Sequence, residues 1–115
     1  MNISRTQIAA LCRVKTDLEC NPGHGITIEQ LMRTSGLSET SLRLGFKFCF
    51  QITIYEYHRN ISMEYAKALL EDGMMVKLVA RKLGYRNATN FTRAFQYVFS
   101  KPPGLISLKK KRSEK

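Results

Sequence analysis

The chain has no tryptophan, only two histidines, three cysteines and nine acidic residues among 115. Each shortage closes a class of function. His24 and His58 leave little raw material for a catalytic or metal centre. Cys12, Cys20 and His24 fit no standard zinc spacing. His58 with Glu56 is tied to no nucleophile. No enzyme activity, metal or cofactor is therefore expected. Three cysteines without C-x-x-C spacing suit a reducing cytoplasm, and Cys49 reads as a small core hydrophobe. No apolar run approaches the roughly 20 residues that span a bilayer. Met1-Asn2-Ile3-Ser4-Arg5 lacks the apolar stretch of a secretory signal. The alternation that marks strands is scarce too.

What is abundant is positive charge. Nineteen Lys and Arg against nine acids leave +10. Lys109, Lys110, Lys111, Arg112 and Lys115 against Glu114 give the tail +4, leaving +6 on the body. A domain this basic fits a polyanionic surface. At 43% hydrophobic and 24% charged the composition is ordinary globular, which excludes a disordered polycation. The length suits one domain that buries a core without disulfides.

Helix punctuation is dense. A first amphipathic segment, about Ser4 to Cys20, places Ile8, Leu11, Cys12, Lys15 and Leu18 on one stripe and stops at Asn21-Pro22-Gly23. Thr27-Ile28-Glu29-Gln30 is a capping box, flanked by Ile26 and Leu31 as a hydrophobic staple. The helix it opens closes at Ser35-Gly36, and Ser38 caps the next at once. Two helices meeting across so few residues have helix-turn-helix spacing. Thr53-Ile54-Tyr55-Glu56 repeats the box before a long central helix to about Glu71, with Ile54, Tyr57, Ile61, Tyr65, Ala68 and Leu69 as its stripe. Val76 to Leu83 is a short helix closed by Gly84. Asn87 caps another to about Phe99, where Lys101-Pro102-Pro103 ends it. A weak last turn near Gly104 to Leu108 precedes the basic tail, which should fray. The expected fold is all-α: about seven helices, a first helix-turn-helix unit over about 5–50, the central helix over 53–71, a second unit over 75–106, and a tail over 107–115.

The two helix pairs repeat. Leu31, Arg33 and Gly36 match Val79, Arg81 and Gly84 at an offset of 48, and Ser38, Leu42, Phe46 and Phe50 match Asn87, Phe91, Phe95 and Phe99 at 49. At about 100° per residue, Leu42, Phe46, Cys49 and Phe50 face a core, as do Phe91, Phe95, Val98 and Phe99. The opposite stripes hold Thr40, Arg43, Leu44 and Lys47, and Thr89, Thr92, Arg93 and Gln96, without an acid. Arg reaches guanine, Gln adenine, and an apolar group a thymine methyl. An acid-free face argues against a protein adaptor. Single-stranded RNA would want exposed stacking aromatics, and the Phe residues lie on the core faces.

The sequence resembles the AraC/XylS family of bacterial transcription regulators over roughly residues 5 to 105. The resemblance is carried by Ile28-Glu29-Gln30-Leu31 through Gly36-Leu37-Ser38, by Leu42 and Phe46-Lys47, and by Tyr57 with Ala66-Lys67-Ala68-Leu69-Leu70. Its most specific part is Val79-Ala80, Leu83-Gly84-Tyr85, Asn90-Phe91-Thr92-Arg93-Ala94-Phe95, Phe99 and Pro103. Gly45-Phe46-Lys47 is also similar to the subgroup that governs siderophore uptake. Three departures stand out. The family usually carries Gly at Phe50-Gln51, Arg at Ser62 and Gly at Ser100. The Ser62 departure touches a phosphate or scaffold contact, not the fold.

The resemblance implies a double-stranded DNA-binding domain that regulates transcription. Its base-reading positions fall on Thr40, Ser41, Arg43 and Leu44 in the first unit and on Ala88, Thr89, Asn90 and Arg93 in the second. Contact with RNA polymerase is a further implication. Lys47, Arg86, Lys101 and the cluster Lys109, Lys110, Lys111 and Arg112 are expected at phosphates, with Thr92 and Gln96 beside them. Ser38 and Asn87 open helices whose N-termini can hold phosphates as well. A central helix from Thr53 to Glu71 spans roughly 28 Å at about 1.5 Å per residue. Successive major grooves on one DNA face lie about 34 Å apart, so a monomer can span two. No sensing or dimerising domain fits in the chain, which reads as a stand-alone regulator or as the DNA-binding part of a longer protein.

Overall fold

Side-chain oxygens open five of the six longer helices, each accepting the backbone N–H three residues on: Ser4, Thr27, Ser38, Thr53 and Asn87. The structure, a computed structural model, describes residues 2–106. They form α1 (Arg5–Cys20), α2 (Ile28–Ser35), α3 (Glu39–Phe50), α4 (Ile54–Glu71), α5 (Val76–Lys82) and α6 (Ala88–Phe99). A last helical turn, α7, covers 103–106, and no strand occurs among the described residues. Gly36 closes α2 with φ +73°, a left-handed turn that glycine adopts without a Cβ penalty. The helical turn proposed up to Leu108 is seen to 106; its end and the basic tail lie outside the described residues.

The molecule is elongated, 56 × 22 × 20 Å, and has two cores rather than one. Leu11, Val14 and Leu18 of α1, Leu31 of α2, Leu42 and Phe46 of α3, and Ile54 at the start of α4 form the first. Met63, Ala66 and Leu70 from the rest of α4, with Val79, Ala80, Leu83, Phe91 and Phe95, form the second. The single stripe expected on α4 is therefore wrong. Ala68 is exposed, Tyr57, Ile61 and Tyr65 are half-buried, and the buried face shifts from Ile54 to Met63, Ala66 and Leu70. One helix that serves two cores cannot keep one buried face. The α1 stripe also needs correction: Ile8 and Cys12 are exposed, and Ala10, Leu11, Val14 and Leu18 are buried.

This arrangement extends the repeat. Leu11, Val14, Lys15 and Leu18 of α1 reappear as Met63, Ala66, Lys67 and Leu70 of α4, at an offset of 52. The equivalence holds in space. Lys15 Nζ lies 5.1 Å from the centre of the Phe50 ring, and Lys67 Nζ lies 5.3 Å from that of Phe99. Phe46–Phe50 and Phe95–Phe99 ring centroids are both 4.7 Å apart. Each unit is thus a scaffold helix, a helix-turn-helix and a lysine over the last ring, a contact worth about 0.5–1 kcal/mol at a partly exposed site. Both α3 and α6 end at a non-glycine residue in the left-handed region, Gln51 at φ 61° and Ser100 at φ 59°. Those are two of the family's usual glycine positions.

The loop after α1 fastens the two units together. The Gly23 N–H donates to Ser62 Oγ at 2.7 Å, and the Ser62 hydroxyl donates to the His58 carbonyl at 2.8 Å. The His24 N–H donates to the Leu83 carbonyl at 2.9 Å. His24 Nδ1 lies 3.0 Å from the Gly84 carbonyl and His58 Nε2 lies 2.6 Å from the Asn21 carbonyl. A carbonyl only accepts, so each of those ring nitrogens carries its proton. The His24 ring also packs on Tyr85, centroids 4.5 Å apart. Ser62, where the family usually has Arg, is 4% exposed, and its hydroxyl bridges the loop to α4. Gly23 sits at φ +92°, and a Cβ there would come within 2.9 Å of the Leu83 carbonyl oxygen. The loop approaches α5 as closely as it does because residue 23 has no side chain.

Candidate nucleic-acid interface

In each unit the helix-turn-helix buries one face of its second helix and leaves the other bare. On α3, Leu42, Gly45 and Phe46 are buried, and Thr40, Arg43, Leu44 and Lys47 are exposed, as the periodicity required. Leu44 is 56% exposed and Phe48 beside it 52%, so the expectation that the Phe residues all lie on core faces fails at Phe48. A large apolar side chain this bare has no role in the core. Ser41 differs from the other three base-reading candidates on α3. It is half-buried and lines a small cavity of about 120 Å³ with Ile3, Gln7, Leu37 and Gly45, on the α1 side of the helix. Gly45 and Phe46 of the Gly45-Phe46-Lys47 trio are core residues; only Lys47 reaches solvent.

On α6, Phe91 and Phe95 are buried and Thr89, Asn90, Arg93 and Gln96 are exposed. Ala88 and Thr92, one turn apart, are half-buried along one edge of that face. Arg86 lies exposed in the turn before α6, and Lys101 lies exposed just after it. Lys109, Lys110, Lys111 and Arg112 lie outside the described residues. Ser38 Oγ accepts the Ser41 N–H at 3.2 Å, and Asn87 Oδ1 accepts the Asn90 N–H at 2.9 Å. These acceptors are occupied, so any phosphate would meet the Ser38 hydroxyl proton, the Asn87 amide protons and the remaining first-turn N–H groups.

The face of α3 is not free of acid. Glu39 lies one turn before Arg43, and Arg43 Nε donates to Glu39 Oε2 at 3.0 Å. Both side chains are half-exposed, so the pair contributes little to stability. It does aim Arg43 toward the N-terminus of α3. Glu39 also brings an acceptor able to take a cytosine amino group. The sequence reading passed over it because the outward stripe was drawn from Thr40, although i, i+4 spacing to Arg43 was the available signal. This is the one ion pair found among the described residues. The other bases there are left unpaired by acids.

Between the units lies an open cleft of about 1010 Å³ that sequence reasoning did not foresee. Its walls are the loop at Gly23 and His24, the α4 face of Tyr55, His58, Arg59 and Ser62, the turn Gly84 to Arg86, and Asn90, Arg93 and Tyr97 of α6. Arg59 crosses it. Its guanidinium carbon lies 4.4 Å from the Tyr97 ring centre and 5.7 Å from that of Tyr55. Burial, with Tyr55 close by, raises the Tyr85 phenol above its ordinary value.

Among the described residues no three His, Cys, Asp or Glu side chains are grouped so as to hold a metal ion, and all three cysteines are free. No described helix is long and apolar enough to cross a membrane.

Known structures share this arrangement. A probable AraC family transcriptional regulator from Rhodopseudomonas palustris superposes with a TM-score of 0.79 at 24% identity, over 89% of this chain and 97% of that one. A transcriptional regulator with an AraC-type DNA-binding domain from Chromobacterium violaceum gives 0.79 at 15% identity, over 93% and 96%. The C-terminal domain of AraT, a response regulator from Geobacillus stearothermophilus, gives 0.73 at 19%, over 95% and 88%. These likenesses establish the fold. No curated protein sequence matches the chain significantly. The sequence model of a helix-turn-helix domain family matches residues 31–106, which takes in both α3 and α6. The chain belongs to that helix-turn-helix family, of the AraC/XylS type, and with it to the DNA-binding regulators of transcription.

Proposed function

We propose that the protein reads two successive major-groove segments of duplex DNA as a monomer, with α3 in one and α6 in the other. The observation that carries this reading is the repeat itself. Two equivalent units each expose one face of a capped helix, and the 21–25 loop holds them in one frame. The 18-residue α4 spans about 27 Å, against about 34 Å between grooves on one face. Helix width or a bend in the DNA makes up the difference.

In this reading Thr40, Arg43 and Leu44 face bases in one segment, with Ser41 at the edge of that surface. Thr89, Asn90 and Arg93 face bases in the other, with Ala88 against the groove wall. Ser38, Lys47, Arg86, Asn87, Thr92, Gln96 and Lys101 meet phosphates, and the Lys109, Lys110, Lys111 and Arg112 cluster adds non-specific grip. Leu44 occupies the place that Arg93 fills in the second unit, so the two segments differ in sequence. We infer that the protein works in the cytoplasm, where its free thiols stay reduced. There it would act on promoters beside RNA polymerase.

In-vitro selection of duplex sites tests this directly. The expected result is a bipartite, asymmetric motif with centres about 10 base pairs apart. A selected motif of one short block, or equal competition by single-stranded DNA, would refute two-site reading.

A further inference from the structure

Resting on that reading, we infer that the cleft between the two units is a third DNA contact. It receives the sugar-phosphate backbone that runs between the two major-groove segments, and Arg59 is the residue that grips it.

Three observations meet here. First, the cleft has the charge such a strand requires. Arg59, Arg86 and Arg93 line it and no Asp or Glu does. Second, Arg59 is held ready without being used. Tyr97 and Tyr55 flank its guanidinium, and the bond from one Nη to Asn60 Oδ1 at 3.3 Å is the one hydrogen bond seen for its side chain. Its Nε is shut from solvent with no partner. A guanidinium stacked on aromatic rings presents its remaining Nη donors in a fixed fork, the geometry that matches a phosphate. Ordering it in advance lowers the entropy lost on binding. Third, the cleft is continuous with the reading surface. Asn90 and Arg93 belong both to the outward face of α6 and to the cleft wall. The opposite wall is α4, which joins the two units. A duplex engaged by α3 and α6 together runs from one unit to the other. The cleft is the basic opening between them.

Tyr97 and Tyr55 take their meaning from this arrangement. They are 71% and 69% exposed, unusual for tyrosines with no other visible role. Here they are the plates that hold Arg59.

The test uses the full chain and its selected duplex site. Arg59→Met keeps the aliphatic stem and removes the fork. Arg59→Lys keeps the charge. Affinity is measured from 50 to 200 mM salt, with phosphate-ethylation interference on both strands. For Arg59→Met the log–log salt slope should flatten by about 0.9, as for one lost phosphate contact. Interference should disappear at a phosphate between the half-sites, and the selected motif should stay unchanged. Arg59→Lys should restore the slope. Thermal unfolding of both variants separates loss of fold from loss of contact. An unchanged slope and an unchanged interference pattern in a folded Arg59→Met protein overturn the proposal and leave Arg59 a strut between α4 and α6. Stabilisation of the wild type, but not Arg59→Met, by inorganic sulfate, with no change in the DNA slope, assigns the cleft to a free anion instead and also overturns it. Absence of duplex binding by the wild type refutes the two-groove reading itself, a different outcome from either.

Discussion

Gly23→Ala puts the fastening of the two units to a quantitative test. The substitution adds one methyl group where two costs coincide. At φ +92° an L side chain is strained, by about 1–2 kcal/mol for a left-handed conformation. The new Cβ would also lie 2.9 Å from the Leu83 carbonyl oxygen and 3.1 Å from its Cα. Those are backbone atoms of α5's C-cap, with no rotamer to give way. The loop must then lift, and it loses the Gly23 N–H to Ser62 bond and the His24 bonds to Leu83 and Gly84. Each such bond contributes about 0.5–1.5 kcal/mol net. Alanine recovers about 0.4–1 kcal/mol by restricting the unfolded chain. These contributions together give an expected loss of about 1.5–6 kcal/mol, or at least roughly 6 °C in melting temperature for a domain of this length.

The control is two residues away. Gly25 has no atom within 4 Å of a built Cβ and no left-handed φ, so Gly25→Ala should be neutral or slightly stabilising. The measurements are urea unfolding of both variants and binding to selected sites with one base pair inserted or removed between the half-sites. Gly23→Ala should bind the altered spacings relatively better than the parent, because its units turn more freely. A Gly23→Ala protein within 0.5 kcal/mol of the parent, with spacing preference intact, would show that the loop contacts neither stabilise the junction nor set its angle.

Other predictions are smaller. Ser100→Gly relieves a left-handed residue for which no side-chain hydrogen bond is seen, and should stabilise by about 0.5–1 kcal/mol in urea unfolding. Gln51→Gly should gain less, because it gives up the 2.8 Å bond from Gln51 Nε2 to the Phe48 carbonyl. Arg93→Ala should weaken binding by about 1–3 kcal/mol and relax one position of the selected motif; a loss uniform over all sequences would make it a phosphate contact. Leu44→Arg should change the preferred bases in the α3 half-site alone, read by repeated selection. The Thr53 hydrogen bonds hold the Glu56 carboxyl below its usual value. That stabilisation is present above about pH 4.5 and lost as pH falls through the lowered value. Thr53→Ala should reduce this part of the acid dependence of unfolding.

Helix ends were readable because capping is local. The Thr27 hydroxyl with the Gln30 amide three residues on, and the Ser38 hydroxyl just after the turn glycine, mark caps whatever surrounds them. The turn glycine Gly36 and the outward stripes of α3 and α6 were readable for the same reason. Burial on α1 and α4 was not. Ile8 and Cys12 look core-facing by spacing, but which side of α1 is covered depends on where α2, α3 and α4 pack. On α4 the pattern is the sum of two faces, Ile54 and Tyr57 toward one core and Met63, Ala66 and Leu70 toward the other. The loop fastening joins residues 39 and 60 apart in sequence, and no local pattern announces such pairs. Ser62 looked like the loss of an arginine. In the fold it is the buried hydroxyl on which the loop hangs.

The two units match closely in scaffold and differ where they would meet DNA. Core residues recur at fixed offsets, down to a lysine over each final phenylalanine. Leu44 against Arg93, and the Glu39–Arg43 pair against Ala88 and Thr92 at the matching places on α6, do not recur. Packing constrains the first set, because each core excludes other shapes. Nothing in the fold requires a bare leucine on α3 or an acid beside Arg43. Differences confined to the exposed faces of two otherwise equivalent helices are what separate sequence preferences would need. A symmetric pair would favour a site that repeats itself and could be bound one step out of register. If Leu44 faces one segment and Arg93 the other, as proposed, a site with its two half-sites exchanged would put the arginine against bases suited to the leucine. On the proposed two-groove reading, the asymmetry would fix the order of the two half-sites.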